Sequence, residues 1–107
     1  MAVMLTGCQK TDSIYDVEDG VLPPGIYING NLYGPHPTKR SKVELDDNFS
    51  YYGTIQSVVN HKFDIPNEEL QVSNVMSQCV GYAVYISDDK DEVAIFIESS
   101  CEYAYFD

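Results

Sequence analysis

Hydrophobic and polar positions alternate most regularly in the last quarter of the chain, from Val80 to Phe106, with a period of two. Val80, Tyr82, Val84 and Ile86 fall on one face, and Gly81, Ala83, Tyr85 and Ser87 on the other. Successive side chains leave a strand on opposite sides, so this is the pattern of a half-buried strand. The next run repeats it, with Val93, Ile95 and Ile97 against Glu92, Ala94, Phe96 and Glu98, and a third sets Tyr103 and Tyr105 against Ala104 and Phe106. β-Branched and aromatic residues dominate all three. The connections, Ser87 to Asp91 and Ser99 with Ser100, are too short for a crossover and demand antiparallel returns. The prediction is a C-terminal meander whose strands pair in chain order.

Upstream the elements are shorter. Ile26 to Ile28 and Asn31 to Tyr33 flank Asn29-Gly30, a dipeptide that supplies the positive φ values of a type I′ turn, so a tight hairpin is predicted. Gly34, Pro35, His36 and Pro37 interrupt pairing, after which Val43 and Leu45 suggest a short edge strand. Phe49 to Val59 is rich in strand formers, and Gly53 within it signals a bulge or bend. Phe63 to Pro66 reads as extended, and Asn67 as the cap of a short helical turn through Glu68, Glu69 and Leu70. Val72, Val75 and Met76 are spaced to close the core beneath that turn, where Ser73 and Asn74 break regularity.

A chain of 107 residues makes one modest domain, burying roughly two-thirds of its unfolded surface. Its 44% hydrophobic and 21% charged residues suit a globular fold rather than wholesale disorder. Six Lys and Arg against 17 Asp and Glu give a net charge of −11. Such a charge repels phosphate backbones and anionic headgroups, which makes nucleic acid a poor partner, and it attracts cationic proteins or peptides. No run reaches the ~20 apolar residues of a membrane span.

The N-terminal segment carries a different signal. Leu5-Thr6-Gly7-Cys8, followed by polar Gln9 to Ser13, resembles the lipobox of bacterial lipoproteins. That resemblance implies cleavage before Cys8, a diacylglyceryl chain on its thiol and an anchor in the membrane; the alternative is an ordinary cysteine in a frayed terminus. Only Ala2, Val3, Met4 and Leu5 precede the Thr, so residues 1–8 are expected to be a truncated signal peptide that begins inside its apolar region. Residues 9–23, with Asp12, Asp16, Glu18 and Asp19, have the composition of a solvated acidic tether, closed by Pro23 and Pro24. The folded domain is expected over 24–107.

Within that domain, Ile-Tyr-Ile-Asn-Gly-Asn-Leu-Tyr from Ile26, Tyr52-Gly53-Thr54-Ile55-Gln56-Ser57-Val58, the stretch Pro66 to Asn74 and a tyrosine-rich end after Val84-Tyr85-Ile86-Ser87 are similar to segments of short predicted lipoproteins of Gram-positive bacteria. The resemblance implies an extracytoplasmic, lipid-anchored protein and no assigned activity.

Candidate chemistry is sparse. Lys39, Arg40 and Lys42 concentrate half of the cations in four positions, a set that would hold a carboxylate or a cell-wall phosphate, unless it pairs with Glu44, Asp46 and Asp47. Cys79 and Cys101 form a candidate disulfide. Each precedes a strand running the same way, nearly 10 Å apart across the central strand, whereas a bridge needs Cα atoms within ~7 Å, so both states stay open. His36, His61, Cys79 and Cys101 lack the paired spacing of a zinc site, and Asp88, Asp89, Asp91 and Glu92 lack the glycine and ligand spacing of a calcium loop. No Gly-x-Ser-x-Gly elbow and no glycine-rich phosphate loop is present. The expectation is an all-β domain of five or six strands, a small partly open barrel or a compact two-sheet sandwich with a C-terminal antiparallel meander and one short helical turn. Its expected role is that of a non-enzymatic, membrane-anchored binding or structural module without cofactor or metal; the alternative is a protective or inhibitory module that captures a cationic protein through its acidic surface.

Overall fold

The structure is a computed structural model and describes residues 24–107. Eight strands form within them: β1 (Ile26–Ile28), β2 (Asn31–Tyr33), β3 (Phe49–Thr54), β4 (Ser57–Val58), β5 (Gln71–Val72), β6 (Ala83–Ser87), β7 (Val93–Ile97) and β8 (Glu102–Phe106). They make two four-stranded sheets, ordered β2-β1-β5-β4 and β3-β6-β7-β8, with no closed barrel. The all-β expectation therefore holds in its sandwich form. The strand count exceeds five or six because β4 and β5 span two residues each, too few to leave a period in the sequence.

The predicted meander forms as β6-β7-β8, paired antiparallel through Val84↔Ile95 and Ile95↔Ala104. It starts later than the alternation suggested. Gly81 takes φ +94°, Val80 is exposed, and the first strand opens at Ala83. The predicted hairpin is β1-β2, with Asn29 at φ 52° and Gly30 at φ 87°, the left-handed pair that a type I′ turn requires.

Gly53 marks a bulge, as predicted: Tyr51 pairs with Tyr85 and Gly53 with Val84, leaving Tyr52 unpaired between them. The strand expected to run on to Val59 is broken after Thr54. The Ile55 N–H donates to the Tyr82 carbonyl of the second sheet's approach (3.0 Å), and the next N–H, of Gln56, donates to the Leu70 carbonyl beside the first sheet (2.9 Å). The chain changes sheets across one peptide. β4 then pairs in parallel with β5, a geometry allowed by the long connection over 59–70.

Two further expectations are corrected. No helical turn forms at Asn67–Leu70; the helix is a 3₁₀ segment at Asn74–Cys79, which buries Met76 and Cys79. Leu70 sits at φ 60°, which no right-handed helix accommodates. That conformation lets its N–H reach the Tyr27 carbonyl (2.8 Å) while its own carbonyl receives Gln56, and two tertiary hydrogen bonds outweigh one local cap. Nor do Val43 and Leu45 form a strand, and Val43 is exposed. The preceding segment instead covers the open edge of β8 through isolated bridges, Pro35↔Phe106 and Lys42↔Tyr103, which blunts a strand that would otherwise present unpaired N–H and C=O groups.

One core lies between the sheets. Ile26, Ile28 and Val72 from the first meet Val84, Val93, Ile95, Ile97 and Phe106 from the second. A smaller cluster of Phe49, Ala94 and Tyr105 lies on the outer face of the second sheet, with Leu45 packed against it.

Candidate functional site

The cationic segment is the place to begin. Lys39 does not face open solvent: its Nζ lies 2.6 Å from Asp46 Oδ2 and 2.8 Å from Glu92 Oε1, and 4.3 Å from the centre of the Tyr105 ring. Burial alone would pull this ammonium down. The hydrogen bonds to Asp46 and Glu92, with their charges, more than offset that and hold its pKa above the ordinary lysine value. Hydrogen bonds from Lys39 and then Lys42 hold the Asp46 carboxyl below its ordinary range. Lys42 Nζ lies 3.0 Å from Asp46 Oδ1, and Arg40 is exposed. The structure therefore brings Lys39 and Lys42 together on a carboxylate of the chain itself. An external anion would compete with Asp46 and Glu92 at Lys39.

His36 braces the same loop. Its Nδ1 accepts the N–H groups of Lys39 (3.0 Å) and Thr38 (3.3 Å), which places the proton of the neutral ring on Nε2, 3.8 Å from Glu92 and 3.9 Å from Asp107. His61 is exposed on the turn after β4. Among the described residues no group of three or more His, Cys, Asp and Glu side chains is placed to hold a metal ion.

Cys79 is a free thiol, fully buried at the end of the 3₁₀ segment, so the Cys79–Cys101 bridge does not form. Burial pushes its pKa up to about 11. A protonated, inaccessible sulfur is a core group rather than a nucleophile. Cys101 sits in the β7–β8 turn at φ 56°. Cys8 lies outside the described residues.

The acidic β6–β7 tip uses its own polar groups. The Ser87 hydroxyl donates to Asp89 Oδ1 (2.7 Å), the same oxygen accepts the Asp91 N–H (3.0 Å), and Ser87 Oγ accepts the Glu92 N–H (3.0 Å). The backbone N–H of Asp91, then the Ser87 hydroxyl, lower the Asp89 pKa. This is a turn held by side-chain mimicry of backbone bonds.

Sequence reasoning missed two features. The first joins three elements: Tyr52, thrown out of register by the bulge, donates its hydroxyl to Glu69, whose other oxygen accepts the Asn29 N–H at the hairpin tip (2.8 Å). The Glu69 hydrogen bond pushes the Tyr52 pKa up to about 12. The second is a row of rings on the outer face of the meander sheet. Tyr51 and Tyr85 lie 5.7 Å apart between centres, Tyr85 and Tyr103 5.6 Å, and Phe96 and Tyr103 5.0 Å. Phe49 and Tyr105 continue the face at 5.5 Å, beneath Lys39. The Tyr105 hydroxyl is buried with no hydrogen-bond partner among the described residues. The alternation did place Tyr85, Phe96, Tyr103 and Tyr105 opposite the core-facing residues; it carried nothing about their contacts across strands.

No protein-family model, no curated protein and no solved structure matches the chain.

Proposed function

We propose that the protein is an extracytoplasmic lipoprotein, anchored through Cys8 to the outer face of the cell membrane, whose β-sandwich is a non-enzymatic binding or structural module. The observation that carries the reading is Leu5-Thr6-Gly7-Cys8 ahead of a polar, acidic stretch over residues 9–23. A diacyl group holds a protein firmly at a bilayer, where a single chain gives only reversible attachment. The sequence carries no Gly-x-Ser-x-Gly elbow and no glycine-rich phosphate loop, which is why we read the module as binding rather than catalysis.

The test is fractionation after expression in a bacterial host from the complete reading frame, with a clickable fatty acid in the medium. Wild type is expected in the membrane fraction and labelled, and Cys8→Ala soluble and unlabelled. An unlabelled wild type, or a Cys8→Ala protein that stays with the membrane, would overturn the reading.

A further inference from the structure

We propose that the part of the outer aromatic face that the Lys39 loop does not cover, Tyr51, Tyr85, Tyr103 and Phe96, is a docking surface for a lysine- or arginine-bearing segment of a cationic protein or peptide. The inference rests on the binding-module reading and names its surface and partner class.

The chain already displays the chemistry at the other end of the same face. Lys39 Nζ stands 4.3 Å from the centre of the Tyr105 ring and 5.4 Å from that of Phe49, with Asp46 and Glu92 completing its shell. A ring face attracts a cation through its quadrupole, within about 6 Å. Past the end of that loop the rings continue: Tyr51 is 61% exposed, and Tyr85, Tyr103 and Phe96 are half-buried against one another. Their mutual contacts, edge to face between the tyrosines and tilted at Phe96, fix the rings in advance, so a ligand would not have to order them.

Charge selects the occupant. β3, β6, β7 and β8 contain no lysine or arginine and one acid, Glu102; the cations nearest the face are already held, Lys39 by Asp46 and Glu92 and Lys42 by Asp46, and the chain as a whole carries −11. That field draws cations toward the face and disfavours anionic partners. A glycan would also stack on tyrosine rings, but recognising its hydroxyls calls for several convergent polar side chains. This row offers phenol hydroxyls beside Phe96, Ala83 and Ala94.

The probe is a short arginine-rich peptide with blocked ends, titrated into the full chain by ¹H–¹⁵N NMR. Tyrosine emission gives a second readout, since the chain has no Trp. The proposal expects resonances of β3, β6 and β8 to move more than those of the 88–92 tip. Tyr51→Ala should weaken binding about three- to tenfold, while Tyr51→Phe stays within about twofold of wild type. Phe63→Ala, at an equally exposed ring outside the row, should leave affinity unchanged. Part of the binding should survive about 0.5 M NaCl, where purely long-range attraction is screened. Four outcomes would overturn the proposal: no binding at low salt; shifts confined to the acidic tip with no effect of Tyr51→Ala; shifts on the face from a cell-wall oligosaccharide and none from the peptide; or sedimentation showing a dimer that Tyr51→Ala dissociates, which would assign the face to a second copy. None bears on the Cys8 label, so failure here and failure of the lipoprotein reading are distinguishable.

Discussion

Tyr52 and Glu69 show how one residue out of register changes what its neighbours do. Read locally, Glu69 is an acid in the first turn of a helix; in the fold it accepts from Tyr52 and from Asn29, tying the bulged strand to the hairpin tip. The tyrosine pKa rises from 10.0 to about 12. A group whose pKa is raised by folding contributes stability that is complete below its unfolded value and lost as pH rises through the folded one. Tyr52 therefore contributes below pH 10 and loses that contribution by about pH 12. Cys79, raised from 9.0 to about 11, does the same one unit earlier. Urea titrations from neutral to strongly alkaline pH should show Tyr52→Phe lowering stability at pH 8 by about 0.5–1 kcal/mol, the scale of one exposed hydrogen bond. Its curve should also be flatter between pH 10 and 12, whereas Cys79→Ala should flatten the earlier part. A Tyr52→Phe curve parallel to wild type would show that the Glu69 hydrogen bond does not set this limb.

At the scale of elements, the critical joint is the passage from β3 to β4. Gly53 lies where the strand bulges, and a Cβ built there would stand 3.1 Å from Leu70 Cδ1, closer than side chains normally pack. Leu70 in turn is fixed by its hydrogen bonds to Tyr27 and Gln56. Gly53→Ala is therefore expected to destabilise by about 1 kcal/mol, at the low end of overpacking, and Leu70→Ala should remove that added cost. A double-mutant cycle by urea denaturation checks it, with an expected coupling of about 1 kcal/mol; additive effects would mean the contact is relieved elsewhere. The bulge was legible, because a glycine inside a run of strand formers has few other reasons to be there. The sheet change was not. Ile55 and Gln56 look like any strand pair, and only the positions of Tyr82 and Leu70 reveal that consecutive N–H groups serve different sheets.

Across the whole molecule, attraction and repulsion compete. Lys39, Lys42, Asp46 and Glu92 form a local attractive cluster that binds the 34–47 segment to the sandwich, and salt weakens it. The net charge of −11 makes the compact state self-repelling, and salt relieves that. Partly exposed pairs are each worth about 1 kcal/mol or less, whereas repulsion acts over every close pair among 17 acids. The sum favours repulsion. The thermal midpoint at pH 7 is expected to rise by a few degrees between about 20 mM and about 500 mM NaCl. A fall over that range would mean that attraction within the Lys39 cluster outweighs the repulsion.

Features that local chemistry enforces could be read before any fold was known. Period-two alternation marked β6 to β8 and their core-facing residues, Asn29-Gly30 the hairpin and Gly53 the bulge, and two sheets were already one of the two architectures open to such strands. Everything that depends on partners distant in the chain was settled by tertiary packing. It chose the sandwich over the barrel, moved the helical turn from Asn67–Leu70 to Asn74–Cys79, left Cys79 a free core thiol, set Lys39 between Asp46 and Glu92, and aligned the outer tyrosines into one row. The physical reason is common to these cases: a residue's periodicity fixes the side on which it leaves a strand, but what it meets there is set by register between strands, and register is a property of the assembled sheet.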